Sequence, residues 1–248
     1  MQAEWTKLRT VASPGWLLAA SVVLTVGLSG AAVAATTCPA DGCGIDATKL
    51  TLTGVVLGQA VVAVFGVLAI GSEYSAETML ATLTAVPRRG MVLAAKALTA
   101  TVPVMLASIV AVFGSLVAGW LIRPGHGLAT VSLSDGPTLR AAVGSVLYLA
   151  LICLLSLGLG TAVRSSAAAI GIVLGLLYLF PVILTVVTDP DWKRRIEQIA
   201  PSNAGLAIQA TTDLANLPIS PWAGLGVLAT WSASALLIGG LALRLRDA

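Results

Sequence analysis

Two carboxylates four residues apart, Glu73 and Glu77, open the most polar stretch of an otherwise apolar chain, Ser72 to Arg89. On a helix that spacing puts both on one side, where they can meet the cationic or backbone N–H groups of a partner. The plainer alternative is that they offset the positive start of a helix dipole and face water. Other groups able to do chemistry are few. Cys38 and Cys43 have four residues between them and no nearby His or further Cys, a spacing that argues poorly for a metal. They would form a disulfide if their loop faces an oxidising exterior, and two free thiols is the equal alternative. Cys153 lies in an apolar run and reads as packing. His126, the one histidine, stands in a Gly/Pro turn and reads as a solvated loop residue.

No catalytic constellation emerges from these residues, and no metal site is expected. The four lysines follow Thr6, Thr48, Ala95 and Trp192, never Gly, so the chain has no G-x-x-x-x-G-K-[ST] phosphate loop. It is therefore not expected to hydrolyse ATP by that route, or to be an enzyme.

The elements that must carry these residues follow from composition. Of 248 residues, 57% are hydrophobic and 10% charged, against about 25% charged in a soluble domain. That difference predicts an all-α integral membrane protein. A net charge of +3 with one basic cluster, Lys193–Arg194–Arg195, argues against nucleic acid as a partner. Between charged residues lie six gaps, Arg9–Asp41, Lys49–Glu73, Lys96–Arg123, Arg140–Arg164, Arg164–Asp189 and Asp213–Arg244, each with more than 20 uncharged residues. About 20 apolar residues cross a bilayer core as a helix, and only helices or closed barrels satisfy their backbone there. No alternating pattern suggests a barrel.

Six transmembrane helices are thus expected in one domain, residues 1–248, at roughly 15–36, 51–71, 94–121, 140–163, 167–187 and 222–243. Lys7 and Arg9 before an apolar run ending at Ala32-Val33-Ala34 also fit a cleaved signal peptide. The run is long for a signal core, so it is read as a span. Gly54 and Gly58, and again Gly171 and Gly175, form G-x-x-x-G steps that let helices approach closely. Pro103 and Pro181 are expected kinks.

Two helices outside the spans are also expected. Ser72 would cap a short amphipathic helix with Ala76, Met79, Leu80, Leu83 and Val86 on its apolar arc, stopped at Pro87. Asp189 and Pro190 would open an interfacial helix bearing Trp192, Ile196 and Ile199 on one face. With both termini inside, Lys7, Arg9, Arg88, Arg89, Lys96, Arg164, Arg244 and Arg246 lie inside, eight cations against six outside. The positive-inside rule favours that orientation, and Arg88 and Arg89 would serve as anchors near anionic headgroups. No ionisable residue stands mid-span, which argues against proton or sodium coupling. Gln59, Tyr148 and Tyr178 are the polar residues left to line a substrate pathway. Helix-to-helix hydrogen bonding is the plainer role for each.

Ser72–Arg89 resembles the first cytoplasmic loop of type-2 ATP-binding-cassette (ABC) transporter permeases, where E-Y-x-x-x-T-x-x-x-L-x-x-x-P-x-R recurs. Glu73, Tyr74, Thr78 and the tail T-L-T-A-V-P-R-R carry the match; Glu77 replaces the usual small residue, and Met79 and Leu80 stand where a basic residue is common. The lead E-W-T-K-L-R-T and the stretch A-P-S-N-A-G-L-A-I at 200–208 are similar to the same family. The resemblance implies the permease subunit of an exporter in the bacterial cytoplasmic membrane, moving an apolar or amphipathic substrate. It implies a second permease half, identical or related, and an ABC ATPase subunit. ATP and Mg would be bound by that ATPase, and no cofactor by this chain. Glu73, Tyr74, Glu77, Thr78, Leu80, Leu83, Arg88 and Arg89 would form the ATPase-coupling contact. A non-transporting sensor or immunity protein, binding a ligand at its outer loops, is the alternative from another class.

Overall fold

The structure is a computed structural model that describes residues 12–37, 44–75, 89–122, 135–163 and 165–246. In chain order its helices are α1 (Ala12–Ala35), α2 (Ala47–Thr51), α3 (Val55–Ser75), α4 (Arg89–Ile122), α5 (Gly136–Val163), α6 (Ser166–Val186), α7 (Pro190–Ile199), α8 (Pro201–Leu206) and α9 (Pro221–Arg246). The described residues contain no strand. Among the described residues five helices are long and apolar enough to cross a membrane: α1, α4, α5, α6 and α9; Val55–Gly71 within α3 is a shorter apolar helix. The chain is an all-helical, multi-pass membrane protein.

Helix α5 is the axis of the bundle. Side chains on several of its sides are buried: Tyr148, Leu149, Ile152, Leu155 and Leu157 meet Val62, Val67 and Ile70 of α3, Val173 and Leu177 of α6, and Leu228 of α9. α1 packs on α3 and α4. Glycines set these approaches. A Cβ on Gly158 would lie 2.5 Å from the Ala235 carbonyl carbon of α9, and one on Gly66 would lie 2.7 Å from the Cys153 carbonyl oxygen of α5. Cβ atoms on Gly54 and Gly58 would overlap Thr25 of α1, and the Gly54 N–H donates to Ser29 Oγ at 3.1 Å. The first G-x-x-x-G step therefore does bring two helices together. The second does not do so among the described residues, where nothing lies within 4 Å of a Cβ built on Gly171 or Gly175. Small residues were visible in the sequence, but the side of α6 they occupy was not.

Three boundaries differ from expectation. The second span opens as two pieces, α2 and α3, broken at Leu52–Gly54, where Gly54 crowds α1. Its far end runs on through Ser75, so Ser72 stands inside a helix and does not start one. α4 begins at Arg89, earlier than residue 94, and Lys96 is consequently buried within its second turn. α4 and α6 each continue through their prolines, Pro103 and Pro181.

The stretch after α6 is the largest departure from the sequence reading. α7 forms as expected, with Asp189 Oδ1 accepting from the N–H groups of Asp191 and Trp192 and with Pro190 in the first turn. The following residues do not stay outside as a loop. Ser202 Oγ donates to the Leu177 carbonyl at 2.7 Å, and Leu177 lies nine residues before the end of α6, about 14 Å along it. Trp231 Nε1 of α9 donates to the Ile199 carbonyl at 3.0 Å. α8 and the 3-10 turn Ala207–Gln209 thus dip into the bundle, with Ala200, Ala204 and Ile208 fully buried. Gly144, Gly205 and Gly224 give them room.

These contacts predict a contrast between glycines. Gly54→Ala and Gly158→Ala are expected to lose about 1–3 kcal/mol through overpacking, whereas Gly171→Ala leaves stability unchanged. Thermal unfolding of the three variants in mild detergent checks this; equal melting temperatures would refute the packing.

Candidate functional site

Three polar residues singled out from apolar runs come together. Gln59 sits in the second turn of α3, Tyr148 midway along α5 and Tyr178 beyond the middle of α6. The Tyr148 hydroxyl donates to Gln59 Oε1. The Tyr178 hydroxyl donates to the Val56 carbonyl, one turn from Gln59, and its side chain also hydrogen-bonds Gln59. Tyr148 and Gln59 are fully enclosed, while Tyr178 is partly exposed. An unpaired amide or hydroxyl in so apolar a setting costs a few kcal/mol, so each needs the others. The node ties α3, α5 and α6 together. Its hydrogen-bonding groups are directed at one another, and it offers no nucleophile–base pair.

A second polar assembly closes the end of the bundle where α1 finishes and α5 begins. Asp46, the N-cap of α2, spends both carboxylate oxygens. Oδ1 accepts from the Lys49 N–H at 3.0 Å and from Thr211 Oγ1 at 2.7 Å; Oδ2 accepts from the N–H groups of Thr211 and Thr212. Beside it Arg140 Nη2 donates to the Ala210 carbonyl, and Gln209 Nε2 donates to Ser145 Oγ at 3.0 Å. Burial pushes the Asp46 pKa up, but the donors from Lys49, Thr211 and Thr212 outweigh it, and the net direction is below the ordinary value of 3.8. Sequence reading did not single out Asp46. The signal available was an acid just before a short helical stretch, D-A-T-K, in the N-cap position.

The remaining candidates divide by position. Glu73 and Tyr74 lie in the last turn of α3, and Arg89 opens α4. Glu77, Thr78, Leu80, Leu83 and Arg88 lie outside the described residues, as do Cys38 and Cys43. Cys153 is a buried free cysteine in the core around α5. Among the described residues no three His, Cys, Asp or Glu side chains gather as a metal site would need. The end of α3 meets the start of α6, since a Cβ on Gly71 would overlap Ser166. The last turn of α3 and the start of α4 therefore lie at the same end as the α5–α6 turn and the C-terminus of α9.

No family model matches this sequence, and no curated protein is similar to it. What the chain does has to be argued from its own residues.

Two predictions follow from the polar assemblies. Tyr148→Phe and Gln59→Leu should be coupled, by about 0.6 kcal/mol and at most roughly 2 kcal/mol; a double-mutant cycle on unfolding free energy reads this, and strict additivity would refute the node. Because the folded Asp46 pKa is depressed, its stabilisation is present above the unfolded value of 3.8 and is lost as pH falls through the lower folded value. Asp46→Asn, which turns an N–H2 group toward donors, should lower the melting temperature at neutral pH and flatten its fall below about pH 3.8. Parallel acid titrations of the two proteins would count against the assignment.

Proposed function

We propose that the chain is the membrane-spanning permease subunit of an ATP-driven type-2 ABC exporter, moving an apolar or amphipathic substrate with ATP hydrolysed by a separate subunit. The observation that supports this reading is where α3 ends and α4 begins. The two described ends of Ser72–Arg89 belong to α3 and α4, so the polar segment joins two consecutive membrane helices at the end of the bundle that also holds the α5–α6 turn and the last residues of α9. That is the end at which a peripheral ATPase would meet the E-Y-x-x-x-T pattern. In this reading α3 supplies the sixth crossing, with α2 as its outer continuation. Both termini lie in the cytoplasm of a bacterium, and α7 lies on the outer side at the membrane interface. A second permease half, identical or related, completes the translocation path.

Helix α3 is suited to carry a push. Its Glu73 end is free of the α1 contact made at Gly54, and between them stands the Gln59 node with α5 and α6. Nucleotide-driven closure of the ATPases would move the Glu73 end and be transmitted to α6 through Tyr178. Glu73, Tyr74, Glu77 and Thr78 are assigned to the ATPase contact, with Leu80 and Leu83 as its apolar side and Arg88 and Arg89 near the headgroups.

Purification from the native membrane in gentle detergent, followed by intact-mass analysis, tests this. An ATPase subunit should co-elute in equal amount with the wild type and be lost from the Glu73→Ala, Glu77→Ala variant. A chain that elutes without any nucleotide-binding partner would replace this reading with the sensor or immunity one. Transport that survives deletion of 75–83 in a folded protein would also sink the coupling role.

A further inference from the structure

Helix α7 has ten residues and buries none of them. Its sequence sorts its residues by chemistry around the axis. At about 100° per residue, Trp192, Ile196 and Ile199 share an arc of roughly 60°. Trp192 and Ile199 are 60% and 59% exposed and Ile196 is partly buried, so the described residues leave most of that arc uncovered. Lys193 and Arg195 lie just beyond its two edges, by roughly 60° and 40°. Arg194 falls on the opposite side, in the same half as Asp191 and Glu197. Arg195 stands 5.9 Å from the centre of the Trp192 ring, beside the apolar arc. All three cations are exposed, and among the described residues no carboxylate pairs with them.

The helix is also held in one orientation. Gln198, on the polar side, donates to the Pro218 carbonyl at 2.7 Å, and the Ile199 carbonyl accepts from Trp231. The polar side is thereby turned toward the 213–220 loop and the apolar arc away from it. A membrane protein that fixes an apolar arc outward, with a cation at either edge and its acids behind, presents the pattern of a helix seated in headgroups. Long cationic side chains beside such an arc keep their stems in the apolar layer and reach phosphate with their tips.

We propose that α7 is a docking surface for the acidic phospholipid headgroups of the bilayer, with Lys193 and Arg195 as the two phosphate contacts and Trp192 as the apolar anchor. This rests on the chain being a membrane protein and not on its being a permease, so either idea can fail alone.

The test exposes the purified full-length chain to an equal mixture of phosphatidylglycerol and phosphatidylcholine with the same acyl chains. Retained lipid is then counted by native mass spectrometry. Wild type should be enriched in phosphatidylglycerol. Lys193→Gln with Arg195→Gln should reduce that enrichment toward the limit of about fivefold for each charge removed. Arg194→Gln should leave it in place, and Trp192→Ser should weaken retention of both lipids without changing their ratio. Because α7 buries no residue, these variants keep the fold, which circular dichroism verifies. Full enrichment in the double variant would overturn the proposal, as would an equal loss in Arg194→Gln. Displacement of phosphatidylglycerol by millimolar inorganic phosphate would assign the site to a free anion and overturn it too.

Discussion

Inside a bilayer, helices gain nothing by hiding apolar surface from lipid, so they are held by close contact and by hydrogen bonds. Every part of this bundle depends on that constraint as it is met at α5. Gly144, Gly158 and Gly160 let Ile208, the α9 backbone and α3 approach its own backbone. Ser145 accepts from Gln209, the Leu151 carbonyl accepts from Ser232 Oγ at 2.9 Å, and Tyr148 donates to Gln59. Three neighbouring elements are positioned by one helix, and none of these contacts could form if α5 carried large side chains all round.

The two ends of the bundle are built differently. At the end that holds the α5–α6 turn, helices adjacent in sequence meet directly: Ser165 caps α6 right after α5. At the other end, elements distant in sequence are fastened by polar groups, with Asp46 gripping Thr211 and Thr212 and Arg140 gripping Ala210. Between the ends, α3 touches α1 near its start, the Gln59 node just after, and α6 near its finish.

Much of this fold was legible in the chain because lipid burial imposes length and the exclusion of charge. The uncharged runs mark the long helices, and Asp189-Pro190 marks the start of α7 by local hydrogen bonding alone. What was not legible needed direction or register. Gly54 and Gly171 look alike as residue types, yet among the described residues only Gly54 faces a neighbour. Gln59, Tyr148 and Tyr178 stand out as polar residues in apolar runs, but their convergence depends on how three helices align. The α8 segment looked like loop because Pro201 and Asn203 interrupt it and its helices are too short to show a period. Its one clue was the absence of charge from Gln198 to Thr212, which suits a buried stretch better than an exposed one. Glu73 and Glu77 read equally well as the start of a new helix or the continuation of α3, because dipole arguments concern ends and not where an end falls.

The inward dip of 200–210 also orders how the molecule is made. Arg140 and Ser145 are synthesised well before Ala210 and Gln209, which satisfy them across 70 and 64 residues, and Asp46 waits across 165 residues for Thr211. At about 5–20 residues per second, 64 residues take roughly 3–13 seconds to emerge. Throughout that interval the first half of α5 is without its final neighbours, and its polar groups depend on water or lipid headgroups. The bundle is closed from its C-terminal third. A ribosome that stalls after α6 leaves behind an inserted but unfastened protein, with Asp46 and Arg140 still lacking the partners that 210–212 supply.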